Sequence, residues 1–139
     1  VMLAAMIPIG QAIETSGISL NIANFISITT NGLSLPWLIL MILVITMFVS
    51  DIVNNAATAV IMAPISANLA LQVGQPVEPF LMAVAVGASC AFLSPIGHQC
   101  NTLVMAPGNY KFGDYWRLGL PLECVIIAIS IPMILFIWT

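Results

Sequence analysis

An all-α membrane protein is the fold class this 139-residue sequence predicts, and three observations carry the prediction. The first is composition: 61% of the residues are hydrophobic and only 5% are charged, whereas a soluble domain carries about 25% charged residues. That leaves too little charge to coat a water-facing surface. The second is a polar interruption, Ser50-Asp51-Ile52-Val53-Asn54-Asn55-Ala56-Ala57-Thr58, set between two strongly apolar runs. The third is another break, Ser94-Pro95-Ile96-Gly97-His98-Gln99-Cys100-Asn101, inside a further apolar stretch. Apolar runs fill the whole length, so a cleavable signal peptide does not account for the bias. The net charge of −3 comes from five acids and two bases and offers no basic footprint for nucleic acid.

The elements follow in chain order. Residues 1–10 read as the end of a membrane helix; no Met opens the chain, which reads as a piece cut from something longer. Gly10 to Gly17 is polar for this chain and holds Glu14, which is expected near the membrane interface, as is Glu123. Residues 18–28 alternate apolar positions with Asn21 and Asn24 and predict a short interfacial helix. Asn31-Gly32 marks a turn, and Pro36 suits the first turn of the next helix, where its missing N–H costs nothing.

Residues 36–73 predict a re-entrant helical hairpin, with arms from Pro36 to about Ile52 and from about Ala56 to Val73. The apolar run Pro36 to Val49 would rise about 21 Å, short of a hydrocarbon core about 30 Å thick. The polar turn would then lie at membrane depth. Irregular backbone is tolerated there only when protein or a water-filled cavity surrounds it. Gly74 to Pro79 is a loop. Residues 80–106 predict a discontinuous transmembrane helix. Its first part, Phe80 to Leu93, is rich in small residues that allow close helix approach. Pro95 and Gly97 break it, and Thr102 to Ala106 resumes it. Pro107 to Arg117 is a hydrophilic connector holding both bases, Lys111 and Arg117. Short basic loops stay inside, so residues 108–117 are expected in the cytoplasm. Residues 118–138 form a closing transmembrane helix with Trp138 at its far end.

Hydrophobic segments interrupted by Pro or Gly are the sequence mark of a transporter site, and they usually occur in two inverted halves. Here the hairpin and the broken helix occur once, so the chain reads as one half of an inverted-repeat transporter. A helix ending at a break presents unpaired C=O groups to a cation, and one beginning there presents N–H groups to an anion. Asn serves either ion, which suits Asn54, Asn55 and Asn101 to such a site.

Other readings stand beside these. Asn54 and Asn55 are also good turn and N-cap residues. Thr58 can bond its own helix backbone. Asp51 is either a paired structural acid or a proton or cation site. His98 is either a packing residue or a substrate contact. Cys90, Cys100 and Cys124 lack any metal-ligand spacing and read as small hydrophobes. No His/Asp/Glu cluster or nucleophile motif points to an enzyme, and no catalytic residue or cofactor is expected. A channel should offer a continuous polar stripe; two localised breaks favour a carrier. A proton-coupled carrier and a non-transporting structural membrane protein remain the alternatives.

Two signatures resemble the C-terminal half of the divalent anion:sodium symporter family, whose members carry sulfate or di- and tricarboxylates and which is related to citrate and arsenite permeases. The first is Asn54-Asn55-Ala56-Ala57-Thr58, similar to the family's hairpin-tip Ser-Asn-Thr motif. The second is Ala88 to Asn101 followed by Pro107-Gly108-Asn109-Tyr110-Lys111-Phe112. Ala12-Ile13-Glu14-Thr15-Ser16-Gly17 also looks like the family's segment before the hairpin. The resemblance implies sodium-coupled transport of a divalent oxyanion by alternating access, with Na⁺ as the coupling ion. It places Asn55 at the motif Asn, touching both Na⁺ and substrate. It places Ser50, Val53, Gly97 and Gln99 where a sodium is held largely by backbone carbonyls. Asn54, Ala56, Thr58, His98 and Asn101 fall on the substrate side. Asn54 replaces the motif Ser and Ala56 the motif Thr, and His98 stands where dicarboxylate carriers have a smaller residue, which favours sulfate or another compact oxyanion. The resemblance also implies an N-terminal half, a homodimer and a place in the plasma (inner) membrane.

Overall fold

A computed structural model describes residue 8, residues 11–29 and residues 32–138. The expected membrane-helix end at residues 1–10 and the turn at Asn31 fall almost wholly outside these. Six helices follow a helical stretch at residues 11–15: α1 (Ile18–Thr29), α2 (Leu35–Ile52), α3 (Asn55–Val73), α4 (Glu78–Ser89), α5 (Gln99–Met105) and α6 (Phe112–Trp138).

The core lies where α2, α3 and α4 meet. Ile39, Ile42 and Leu43 of α2, Leu69 and Ala70 of α3, and Phe80 and Ala83 of α4 are fully buried. The small-residue run of α4 brings it close to α2: a Cβ added at Gly87 would come within 2.9 Å of Thr46 Cβ. Thr46 is itself buried, and its hydroxyl donates back to Ile42 O at 2.6 Å. The arms α2 and α3 each pack more on α4 than on each other, and α1 lies against α3, where Asn68 Nδ2 donates to Ser19 Oγ at 3.3 Å. Gly74 ends α3 in the left-handed conformation (φ 71°), and Gln75 N–H closes the turn on Ala70 O, a helix stop that glycine accepts without steric cost.

Three helices are long and apolar enough to cross a membrane: α2, α3 and α6. This corrects the expectation that the first hairpin arm falls short of a span. With Leu35 and the Ser50 to Ile52 segment inside the helix, α2 has 18 residues, about 27 Å of rise. Two further boundaries move. α4 ends at Ser89 rather than Leu93, for a reason given below. α6 begins at Phe112 rather than Leu118, so six of the ten residues of the expected 108–117 loop are helix. Asp114 explains that start: its Oδ2 accepts Lys111 N–H at 2.9 Å, the reach-back that caps a helix N-terminus.

The longer α6 also corrects the placement of Glu123. It is not a surface residue of the chain: it is 8% exposed and turned into the protein. Most of α6 otherwise presents large apolar side chains outward, including Leu118, Val125, Ile129, Met133 and Phe136.

Candidate functional site

The break between α2 and α3 is two residues wide. Val53 and Asn54 both take extended backbone, and Asn54 Oδ1 accepts Ala57 N–H at 2.8 Å. Asn54 is therefore the N-cap of α3, and its acceptor is committed to the helix while its amide nitrogen remains a donor.

Asn55 ties this tip to the rest of the molecule. Ser50 Oγ donates to Ala88 O at 2.9 Å. A hydroxyl has one hydrogen, so its second 2.9 Å contact, with the Asn55 side chain, must be one in which Asn55 donates. The Asn55 amide nitrogen then also reaches Gly97 O and Ala88 O, each at 3.2 Å. One side chain thus joins the start of α3, the end of α4 and the segment after it. The two breaks meet. Gly97 is needed for that meeting, because a Cβ there would lie 2.6 Å from Ser50 O and 2.7 Å from Ala91 Cβ.

The segment Cys90 to His98 has no helical ladder, yet side chains from elsewhere satisfy much of its backbone. Asp51 Oδ1 accepts Leu93 N–H at 3.1 Å, and the buried Glu123 carboxyl lies beside the backbone of Phe92. Ser94 Oγ accepts Ile96 and Gly97 N–H, each at 3.2 Å, and donates to Asp51 O. Asn101 Nδ2 donates to Ala91 O at 3.0 Å and Ser94 O at 3.3 Å, and Thr102 Oγ1 donates to Pro95 O. Tyr115 OH donates to Asn101 O at 2.7 Å. Buried backbone must be paired in this way, above all in a hydrocarbon setting. Asp51 takes an amide that a continuing helix would have bonded to its own carbonyl, and so α4 stops early. The Asp51 reading as a structural acid is the one the geometry favours, with backbone amide rather than a base as its partner. Ser94, Thr102 and Tyr115 are the braces that sequence reading missed. Ser94 beside Pro95 and Thr102 beyond the break were signals, since such hydroxyls serve irregular backbone.

Asn54, Asn55, Ala56, Gly97, His98 and Gln99 line one cleft of about 230 Å³. His98 is exposed there, so it is not a core packing residue, and its Nδ1 accepts Cys100 N–H at 3.2 Å. Ser50 is fully buried against Asn55, and Val53 stands in the link beside Asn54. The backbones of Ser50 and Gly97 abut. Thr58 is fully buried, and its Oγ1 has no partner among the described residues. The expected bond to its own helix is not made. Asn101 lies off this cleft, with its amide hydrogens engaged on the break; it borders a separate cavity of about 280 Å³ with Tyr110, Asp114 and Tyr115.

The lining combines two irregular links, amide donors, an imidazole and backbone carbonyls, without a Lys or Arg. Residues 1–139 match the citrate transporter family throughout. This chain belongs to that family. The family is one of membrane transporters rather than enzymes. An uncharacterized transporter of Synechocystis sp. is 38% identical over 136 residues, which is 98% of this chain and 22% of that protein. The sodium/sulfate cotransporter 2 of Chlamydomonas reinhardtii is 30% identical over 129 residues, 92% of this chain and 15% of that protein. The sodium-dependent high-affinity dicarboxylate transporter 3 of Caenorhabditis elegans is 30% identical over 123 residues, 87% of this chain and 22% of that protein. The chain therefore spans about a fifth, or less, of the length of these three relatives.

Proposed function

We propose that this chain supplies one half-site of a sodium-coupled carrier for a divalent oxyanion, sulfate or a di- or tricarboxylate, working by alternating access. The observation that carries the reading is the Asn55 bridge to Gly97 O, which makes one site out of two helix breaks. On this reading α2 and α3 form a re-entrant hairpin, argued from the tip buried against α4 and the break rather than from arm length. Carbonyls of Ser50, Val53, Gly97 and Gln99, with Asn55, hold Na⁺. The first N–H groups of α3, with Asn54, Ala56 and His98, face the anion. Thr58 lies behind them, and Asn101 holds the break in shape.

The energetics make coupling necessary. Each negative charge moved into a negative cell costs about 2.3 kcal/mol per 100 mV. Uptake of a dianion then requires co-transport of more positive than negative charge. The cleft has no Lys or Arg, so helix ends and the co-bound cation offset the anion's charge. An N-terminal half of inverted topology completes the site, and a homodimer is the expected assembly. The sodium-dependent relatives, one a sulfate and one a dicarboxylate carrier, support this choice of ion and cargo.

Uptake of radiolabelled sulfate and succinate by vesicles carrying the intact protein tests the reading. Saturable uptake that rises with sodium is expected. Equal uptake with choline in place of sodium would remove the coupling assignment and leave the proton-coupled alternative.

A further inference from the structure

We propose that His98 determines anion specificity: its ring, held in one tautomer by the backbone, presents a fixed N–H donor that selects an acceptor-only dianion over an oxyanion carrying a hydroxyl. The inference rests on the reading of the cleft as an anion site and names the chemistry that site prefers.

His98 Nδ1 accepts the backbone N–H of Cys100 at 3.2 Å. A ring nitrogen that accepts carries no proton, so the proton of the neutral imidazole sits on Nε2. The tautomer is thus set by the start of α5 and not by the ligand. Asn54 shows the same arrangement across the cleft. Its Oδ1 is engaged by Ala57 N–H at 2.8 Å, which leaves Nδ2 as its free polar group. Two cleft-lining residues from two different breaks therefore use their acceptors as helix caps and keep donors for a ligand.

Sulfate offers an acceptor at every oxygen, and so does a fully ionised dicarboxylate. Hydrogenphosphate has the same charge but one P–OH, which must turn away from both fixed donors and needs an acceptor of its own, while Asn54 Oδ1 and His98 Nδ1 are already engaged by backbone N–H groups. A site built of fixed hydrogen-bonding groups rejects a ligand that mismatches them far more strongly than an apolar pocket does.

The test is isothermal titration of sulfate, succinate and inorganic phosphate into the intact protein in detergent with sodium. The pH is mildly alkaline, so that phosphate is the hydrogenphosphate dianion. The wild type is expected to bind sulfate or succinate at least about tenfold more tightly than phosphate, and the stronger of the two arms identifies the cargo. His98→Ser keeps a capping oxygen for α5 but removes the ring donor; it should lose about ten- to hundredfold in affinity for the preferred dianion and less for phosphate. His98→Asn keeps both a capping oxygen and an amide donor, as Asn54 does, and should retain the preference. Wild-type affinities in His98→Ser would show His98 to be a helix cap and nothing more. Equal wild-type affinity for phosphate and the other two would overturn the selectivity. Absence of any anion binding by the wild type in sodium would instead overturn the anion-site reading itself, and this inference with it.

Discussion

Asp51 Oδ1 accepts the backbone N–H of Leu93 across 3.1 Å, though the two residues are 42 positions apart in sequence. The contact fixes where α4 gives way to irregular chain. Asp51 is 7% exposed, so its removal leaves a buried amide with no solvent to replace the bond. Asp51→Ala should therefore lower stability by about 1–3 kcal/mol, the cost of an orphaned buried donor. Asp51→Asn keeps a carbonyl oxygen for the same amide and should be milder. Thermal unfolding of the purified protein in detergent measures both. An Asp51→Ala protein as stable as the wild type would mean that the Leu93 amide finds another acceptor.

Gly97 is the narrowest point of the same region. An added methyl would lie 2.6 Å from Ser50 O, inside any real Cβ contact, and the obstruction is backbone that cannot swing aside. Gly97→Ala should push the two breaks apart and abolish sodium-dependent uptake, with the protein still inserted. Gly113 is the matched control, since a Cβ there meets nothing within 4 Å. Gly113→Ala should retain uptake. If both variants transport alike, close approach at Gly97 has no part in the site.

These contacts also explain what the sequence could and could not disclose. The α2–α3 break was legible because Asn54 and Asn55 interrupt a strongly apolar run, and a capping Asn acts within three residues of itself. The meeting of the two breaks was legible for a similar reason: each had unpaired helix ends. The end of α4 was not. Ala91-Phe92-Leu93 looks like continuing helix, and what holds it open comes from Asp51, far away in sequence. Glu123 misled for another reason. It stands near the start of an apolar run, but Asp114 starts the helix earlier, at Phe112. That places Glu123 11 residues into α6, about 16 Å of rise, level with the break rather than at an edge. Asn101 matched a substrate residue by type and position, yet its amide is turned to Ala91 and Ser94.

Topology follows from charge. Lys111 and Arg117 are the two bases of the chain, and both are exposed around the start of α6. Basic residues flanking a span stay on the cytoplasmic side. A Lys111→Cys variant, in a background lacking the exposed Cys100 and Cys124, should resist a membrane-impermeant thiol reagent added outside intact cells. It should react once the membrane is opened. Prompt labelling from outside would invert the orientation of the whole chain.

Asn55 carries the sharpest test because its two amide hydrogens and its oxygen have separate tasks. The nitrogen donates toward Gly97 O, Ala88 O and Ser50 Oγ. On the proposed mechanism the oxygen serves sodium. Asn55→Ala removes both and leaves a small gap. Asn55→Asp keeps an oxygen for sodium but sets a second one against two carbonyls, where only a donor fits. Both should abolish sodium-dependent uptake, and Asn55→Asp should be the less stable in detergent, since carbonyl facing carboxylate is worse than a void. Asn54→Ser should behave differently: a serine hydroxyl still caps α3, so sodium dependence should survive while the balance between sulfate and succinate shifts. Uptake of both anions across a sodium series, with melting curves for each variant, resolves these effects. Sodium dependence unchanged in Asn55→Ala would reduce Asn55 to a structural tie between the breaks, and the sodium site would have to be sought elsewhere.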